Sequence, residues 1–217
     1  MTAPFALWLS FLPAIALQTG ESPRESSPAH IHIGHVLKSI NGPPGNVGLI
    51  TILEEEAQIA ARHAELATAD LTGLESMQTH VRHVRHAIDP SKEPSGPGKG
   101  FGVTRAAKGV ETHVQLATRS DGATENIQRH ATHVATSAHN VASWAELILV
   151  ESEKVLKAET AELAAPSVQR IRELAGYILE GTDADKDGQV SWQEGEGGIA
   201  QAKEHAELLA RGEGITS

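Results

Sequence analysis

Apolar side chains recur every three or four residues over four long stretches of this chain, and that spacing commits those stretches to amphipathic helices. The first runs over 47–69, with Leu49, Ile52, Leu53, Ile59, Ala60 and Ala67 on one face. The second carries Leu74, Met77, Val81, Val84 and Ile88; Asp70 can cap it, Thr72 and Glu75 have the capping-box spacing, and Asp89-Pro90 ends it. The third spans 103–119 on Val103, Ala106, Val110, Val114 and Ala117, and the fourth 125–158 on Ile127, Val134, Val141, Trp144, Ile148 and Val155, with Asp121-Gly122 turning the chain between them. Hydrophobic residues make up 40% of the 217, yet aromatics only 3%, so the apolar faces are mostly Ala, Val, Leu and Ile. Ala favours the helix and lets neighbouring helices approach closely. The expected fold is all-α: an antiparallel four-helix bundle over 47–160, followed by a helix-loop-helix over 165–212.

The amino-terminal segment reads differently. Residues 1–16 carry no charged side chain, Phe5 to Leu12 is an apolar run, and Ala14-Ile15-Ala16 has the small-residue pattern of a cleavage site. This predicts a signal peptide cut near Ala16 and a periplasmic or extracellular protein with no membrane span after its removal. Residues 17–46 are expected to be a flexible, histidine-containing lead-in, broken by Asn-Gly-Pro-Pro-Gly-Asn at 41–46. With 18 Lys and Arg against 28 Asp and Glu, the net charge of −10 is wrong for nucleic acid or an anionic membrane surface and right for cations. Cysteine is absent, which excludes disulfides, thiolate metal sites and iron–sulfur clusters.

One segment carries a specific chemistry. Asp183-Ala184-Asp185-Lys186-Asp187-Gly188-Gln189-Val190-Ser191-Trp192-Gln193-Glu194 crowds four carboxylates into twelve residues around a glycine. Val168, Ile171, Leu174 and Ile178 stripe the segment before it, and Ile199, Ala202, Ala206 and Leu209 the segment after. This pattern resembles the EF-hand calcium-binding family. The resemblance implies side-chain oxygens from Asp183, Asp185 and Asp187, the Gln189 carbonyl, Ser191 directly or through water, and a two-oxygen clamp by Glu194. EF-hands usually pair, and no second loop is present in the sequence, so the resemblance also implies docking on the bundle or self-association through the unpaired hand.

Twelve histidines are many for this length, and eleven lie between 30 and 139. Advancing about 100° per residue puts Glu56 and His63 at the centre of the first helix's apolar stripe and His130 at the centre of the fourth's. His133 falls on the flank of the fourth stripe and His113 on the flank of the third. These five form a candidate second site for Zn²⁺, Cu²⁺ or haem iron, since bundles build such sites from inward-facing imidazoles. A weaker candidate set is His30, His32 and His35 lying across His80, His83 and His86 of the second helix; His83, His86 and His139 point away from their own stripes. The competing reading is a structural or interaction protein whose histidines only order the core, with calcium as a clip. The Gly-rich stretch 96–102 lacks the Walker spacing, and no acid, base and nucleophile set can be assembled, so the chain reads as a non-enzymatic calcium binder.

Overall fold

The computed structural model describes residues 27–215, and the leader expected at 1–16 lies outside them. Among the described residues the chain is entirely helical, with seven α-helices and no strand: α1 (Pro28–Leu37), α2 (Leu49–Thr68), α3 (Leu74–Ile88), α4 (Val103–Arg119), α5 (Glu125–Lys157), α6 (Ala161–Glu180) and α7 (Ile199–Gly212). A single 3₁₀ turn at Pro44–Asn46 joins α1 to α2. None of these helices is long and apolar enough to cross a membrane.

Local chemistry accounts for the boundaries. The Ser27 hydroxyl accepts the His30 backbone N–H at 3.3 Å and Pro28 opens the first turn, so α1 starts there and not in the middle of a loose leader. Its buried Ala29, Ile33 and Val36 pack mainly on α4; from Pro28 to Leu37 the segment expected to be flexible is therefore a docked helix. Thr124 and Thr160 cap α5 and α6 in the same way. Asp70 does not cap α3: it accepts the Thr72 backbone N–H at 2.9 Å and closes a turn ahead of the helix, whose N-cap is Gly73.

The 33-residue α5, about 50 Å long at 1.5 Å per residue, is the central strut. It packs against α3, α4, α6 and α7, while α2 lies against α3, α4 and α6. The core follows the apolar stripes closely. Ala57, Ala60, Ala64 and Ala67 line the buried side of α2, where larger side chains would hold the neighbouring helices apart. Seven further residues, Val168, Ile171, Leu174, Ile178, Ile199, Ala202 and Leu209, bury the two C-terminal helices.

Candidate metal centres

Nine of the twelve histidines come together as three separate triads: His32, His35 and His113; His63, His80 and His83; and His130, His133 and His205. Each triad is built the same way. Two imidazoles three residues apart project from one turn of one helix, because positions i and i+3 share a helix face. A third comes from a second helix packed against it. The pairs stand on α1, α3 and α5, and the partners on α4, α2 and α7 respectively.

The ring geometry repeats almost unchanged. Within the pairs the ring centroids are 6.0, 5.8 and 5.9 Å apart and the rings stand edge to face, at 82°, 73° and 84°. The partner ring is tilted toward the first member of each pair, at 44°, 32° and 32°, and roughly perpendicular to the second, at 85°, 78° and 70°. In every triad the same atoms converge. His113 Nδ1 lies 3.1 Å from His32 Nδ1 and 3.3 Å from His35 Nδ1. His63 Nδ1 lies 3.2 and 3.3 Å from His80 and His83. His205 Nδ1 lies 3.3 Å from both His130 and His133.

These separations carry chemical information. An imidazole nitrogen bears either one N–H or one lone pair, so the central nitrogen of each triad can satisfy one in-plane hydrogen bond, not two. A shared cation satisfies all three lone pairs at once. Nitrogens bound at 2.0–2.1 Å in a tetrahedron are about 3.3 Å apart, and those on an octahedral face about 2.9 Å. In each triad the partner's Nδ1 thus lies from both members of the pair at a separation that two imidazoles sharing one small cation would show, and the three ligand atoms all fall within 4.8 Å of one another. These contacts do not match haem, whose macrocycle takes the four equatorial positions and leaves only two opposed axial ones. Nor do they suit Ca²⁺, a hard ion that prefers oxygen.

Electrostatics favour the ligating form. Burial pushes His63 down to about 4, helped by His83, His80 and Arg62. Burial likewise takes His133 to about 4, with His205, His130 and Arg129 adding to it. His113 and His205 are also lowered, first by burial and then by their neighbouring imidazoles. A neutral ring with a free lone pair is what a metal requires. All nine rings are half-buried. Among the described residues no protein group bonds their Nε2 atoms, so each ring is held by packing and not by a carboxylate behind it.

The single inward site expected from Glu56, His63, His113, His130 and His133 does not form; its histidines are distributed over all three triads. Glu56 is fully buried, but it accepts the backbone N–H groups of Lys99, Phe101 and Gly102 at 3.0, 2.8 and 2.9 Å, tying down the loop before α4. Gly102 there adopts φ +86°, and a Cβ would strike Pro90 and the Ile88 carbonyl, which explains the glycine. The weaker set separates as well. His32 and His35 meet His113, whereas His80 and His83 meet His63. His30 contacts Glu213 at 3.1 Å. His86, expected to face outward, is buried against the Glu93 carbonyl at 2.8 Å.

His205 was the triad member not anticipated, because a lone histidine in the last helix has no partner nearby in sequence. A signal was present nonetheless. His32-Ile33-Gly34-His35-Val36, His80-Val81-Arg82-His83-Val84 and His130-Ala131-Thr132-His133-Val134 share one pattern. Each of the nine histidines immediately precedes a buried residue, as in His63-Ala64, His113-Val114 and His205-Ala206. One step from the core stripe is about 100° of rotation, which places each imidazole at the rim of a helix interface. The expected central positions of His63 and His130 are thus rim positions.

The acidic loop has its own geometry. Carboxylate oxygens of Asp183, Asp185 and Asp187 lie within 4.8 Å of one another. Asp183 accepts the Asp187 and Gly188 N–H groups at 3.1 and 3.0 Å, and Gly188 takes φ +93°. Glu194 is exposed. Glu196, nearly buried, turns inward instead, accepting the Ser191 hydroxyl at 2.6 Å and its N–H at 3.1 Å. The Asp187 N–H draws the Asp185 carboxyl down, but desolvation and the facing Asp187, Glu196 and Asp183 leave it above the usual range. The exiting helix starts only at Ile199, five residues beyond Glu194.

No family model, curated protein or solved structure matches this chain.

Proposed function

We propose that this protein binds late first-row divalent metal ions, Zn²⁺ or Cu²⁺ by ligand chemistry, at three separate tris-imidazole sites, as an exchangeable metal carrier or reservoir. The observation that carries the reading is the threefold recurrence of one ring arrangement with Nδ1 contacts of 3.1–3.3 Å. A polar network that merely ordered a core would have no reason to repeat its geometry at three unrelated helix pairs. Half-exposed rings without supporting hydrogen bonds favour ions that come and go over a buried structural ion, since such support is worth tenfold to a hundredfold in affinity (about 1.4–2.7 kcal/mol).

A second reading concerns the loop at 183–196. Four facing carboxylates from Asp183, Asp185, Asp187 and Glu196 support Ca²⁺ binding, with Glu196 in the place expected of Glu194. In this reading the last two helices form an EF-hand-like clip on an antiparallel bundle of the longer helices, and the protein is exported.

Equilibrium dialysis of untagged protein against Zn²⁺, followed by elemental analysis, tests the main reading. The expected result is three ions per chain, falling to two in each of His63→Ala, His113→Ala and His205→Ala. Protein that takes up less than one Zn²⁺ per chain at micromolar free metal refutes it.

A further inference from the structure

The three triads are alike in their rings but not in their surroundings. His133 is covered by the Trp192 indole, stacked at 3.8 Å between centroids and 14° between planes. His35 and His83 occupy the corresponding place in the other two triads, and among the described residues no aromatic other than their own triad partners stacks on them. Trp192 belongs to the acidic loop, and that loop is fastened to the helix that carries His133. Asn140, two turns further along α5, donates to the Gln193 and Gly197 carbonyls at 2.8 and 3.1 Å and accepts the Gly195 N–H at 2.9 Å. At Gly197 a Cβ would collide with Ser137 Oγ, so the loop backbone lies flush on α5. Two residues later α7 begins, and α7 supplies His205. The ring of His133, the position of His205 and the conformation of the loop are therefore parts of one assembly.

We infer that Trp192 is a positioning residue for the His130–His133–His205 site, holding the His133 ring in its ligating orientation so that this site alone is set by the loop. Stacking restricts the imidazole to one plane, and among the described residues His35 and His83 have no such aromatic cover outside their own triads. A ring already held in its bound orientation loses less freedom on binding, so the third site binds metal more tightly than it would with the indole removed. The inference rests on the reading of the triads as metal sites.

The test isolates the third site by removing the central ligand of the other two, in the full chain carrying His63→Ala and His113→Ala. Zn²⁺ affinity and the visible absorption spectrum of bound Co²⁺ are then measured with and without Trp192→Ala. The expected result is a loss of about tenfold to a hundredfold in Zn²⁺ affinity, the range for removing a group that orients a ligand, together with an altered Co²⁺ spectrum. Trp192→Phe, which keeps a stacking face, restores both, and Asn140→Ala, which frees the loop from α5, acts in the same direction as Trp192→Ala. In the His205→Ala background, which retains the first two sites, Trp192→Ala leaves affinity within twofold. Wild-type protein that binds three Zn²⁺ while Trp192→Ala leaves third-site affinity and spectrum unchanged overturns this inference alone. Protein that binds no Zn²⁺ in any background overturns the metal-binding reading beneath it.

Discussion

A fully buried carboxylate and a half-buried imidazole are both expensive, and this chain resolves the two costs differently. Glu56 is satisfied by three backbone N–H groups and needs no ion. Glu56→Gln would turn an amide N–H₂ toward those donors and leave at least one of them unpaired. The expected loss is about 1–3 kcal/mol of stability, read by denaturant unfolding, with Zn²⁺ stoichiometry unchanged; a lost ion would return Glu56 to the ligands. His63 and His133 answer their cost by staying neutral, and that makes stability depend on pH. The folded-state values of His63 and His133, about 4, lie below the ordinary 6.5. Above about pH 6.5 both folded and unfolded chains hold these rings neutral, so nothing is lost. As pH falls from there toward 4 the unfolded chain takes up protons that the folded one refuses, and stability declines. Metal-free protein should therefore show a melting temperature that drops across this window, and His63→Ala a shallower drop. A melting temperature flat from pH 7 to 4.5 would contradict the burial argument.

At the scale of helices, each triad closes an interface between elements. His113 draws α1 onto α4 across a separation of 78–81 residues, and His205 draws α7 onto α5 across 72–75. Beyond the apolar packing of Ala29, Ile33 and Val36, the ten-residue α1 has few other polar ties: the Ala29 N–H to the Asp121 carbonyl at 3.2 Å, and His30 to Glu213. Zn²⁺ should slow amide hydrogen exchange over 29–37 in wild-type protein, and do nothing there in His113→Ala; equal protection in both would mean that apolar packing alone docks the helix. The loop and α7 make the corresponding case for calcium. If Ca²⁺ orders 183–196, the tethered Trp192 should transmit it, so that millimolar Ca²⁺ tightens Zn²⁺ binding at the third site several-fold. The effect should vanish in Trp192→Ala. Binding that is indifferent to Ca²⁺ in both proteins would separate the loop's ion from the histidines.

For the whole molecule, the proposed reading means that three metal bridges would add noticeably to an Ala-rich, aromatic-poor core. An ion bound only by the folded state stabilises by about 2.7 kcal/mol per site at a hundredfold excess over Kd. At about 2–4 °C per kcal/mol for a chain of this size, saturating Zn²⁺ should raise the melting temperature by about 5–10 °C per occupied site. The rise should step down as His63, His113 and His205 are replaced in turn. The net charge of −10 would work in the same direction, drawing cations toward the surface.

Helix periodicity was legible because it is local: apolar spacing placed α2 through α5 within a few residues of where they lie, and the C-terminal stripes proved buried as expected. The docked α1 was harder to read, since ten residues between Ser/Pro-rich and Gly/Pro-rich segments are recognisable mainly by the Ser27 cap. The pairs His32/His35, His80/His83 and His130/His133 were also local, written in the i, i+3 spacing, whereas their partners were not. Nothing in the sequence joins His205 to His130 across 75 residues or separates His63 from His113, because a ligand set is defined by which helix faces which, and side-chain pattern fixes a helix's buried face but not its neighbour. The inward turn of Glu196 toward Ser191 has the same origin: it belongs to a loop seated on α5 through Asn140, a contact between segments 55 residues apart. Sequence alone determined the helices and the side chains they carry; the packing of those helices decided that nine histidines gather in three triads instead of one cluster.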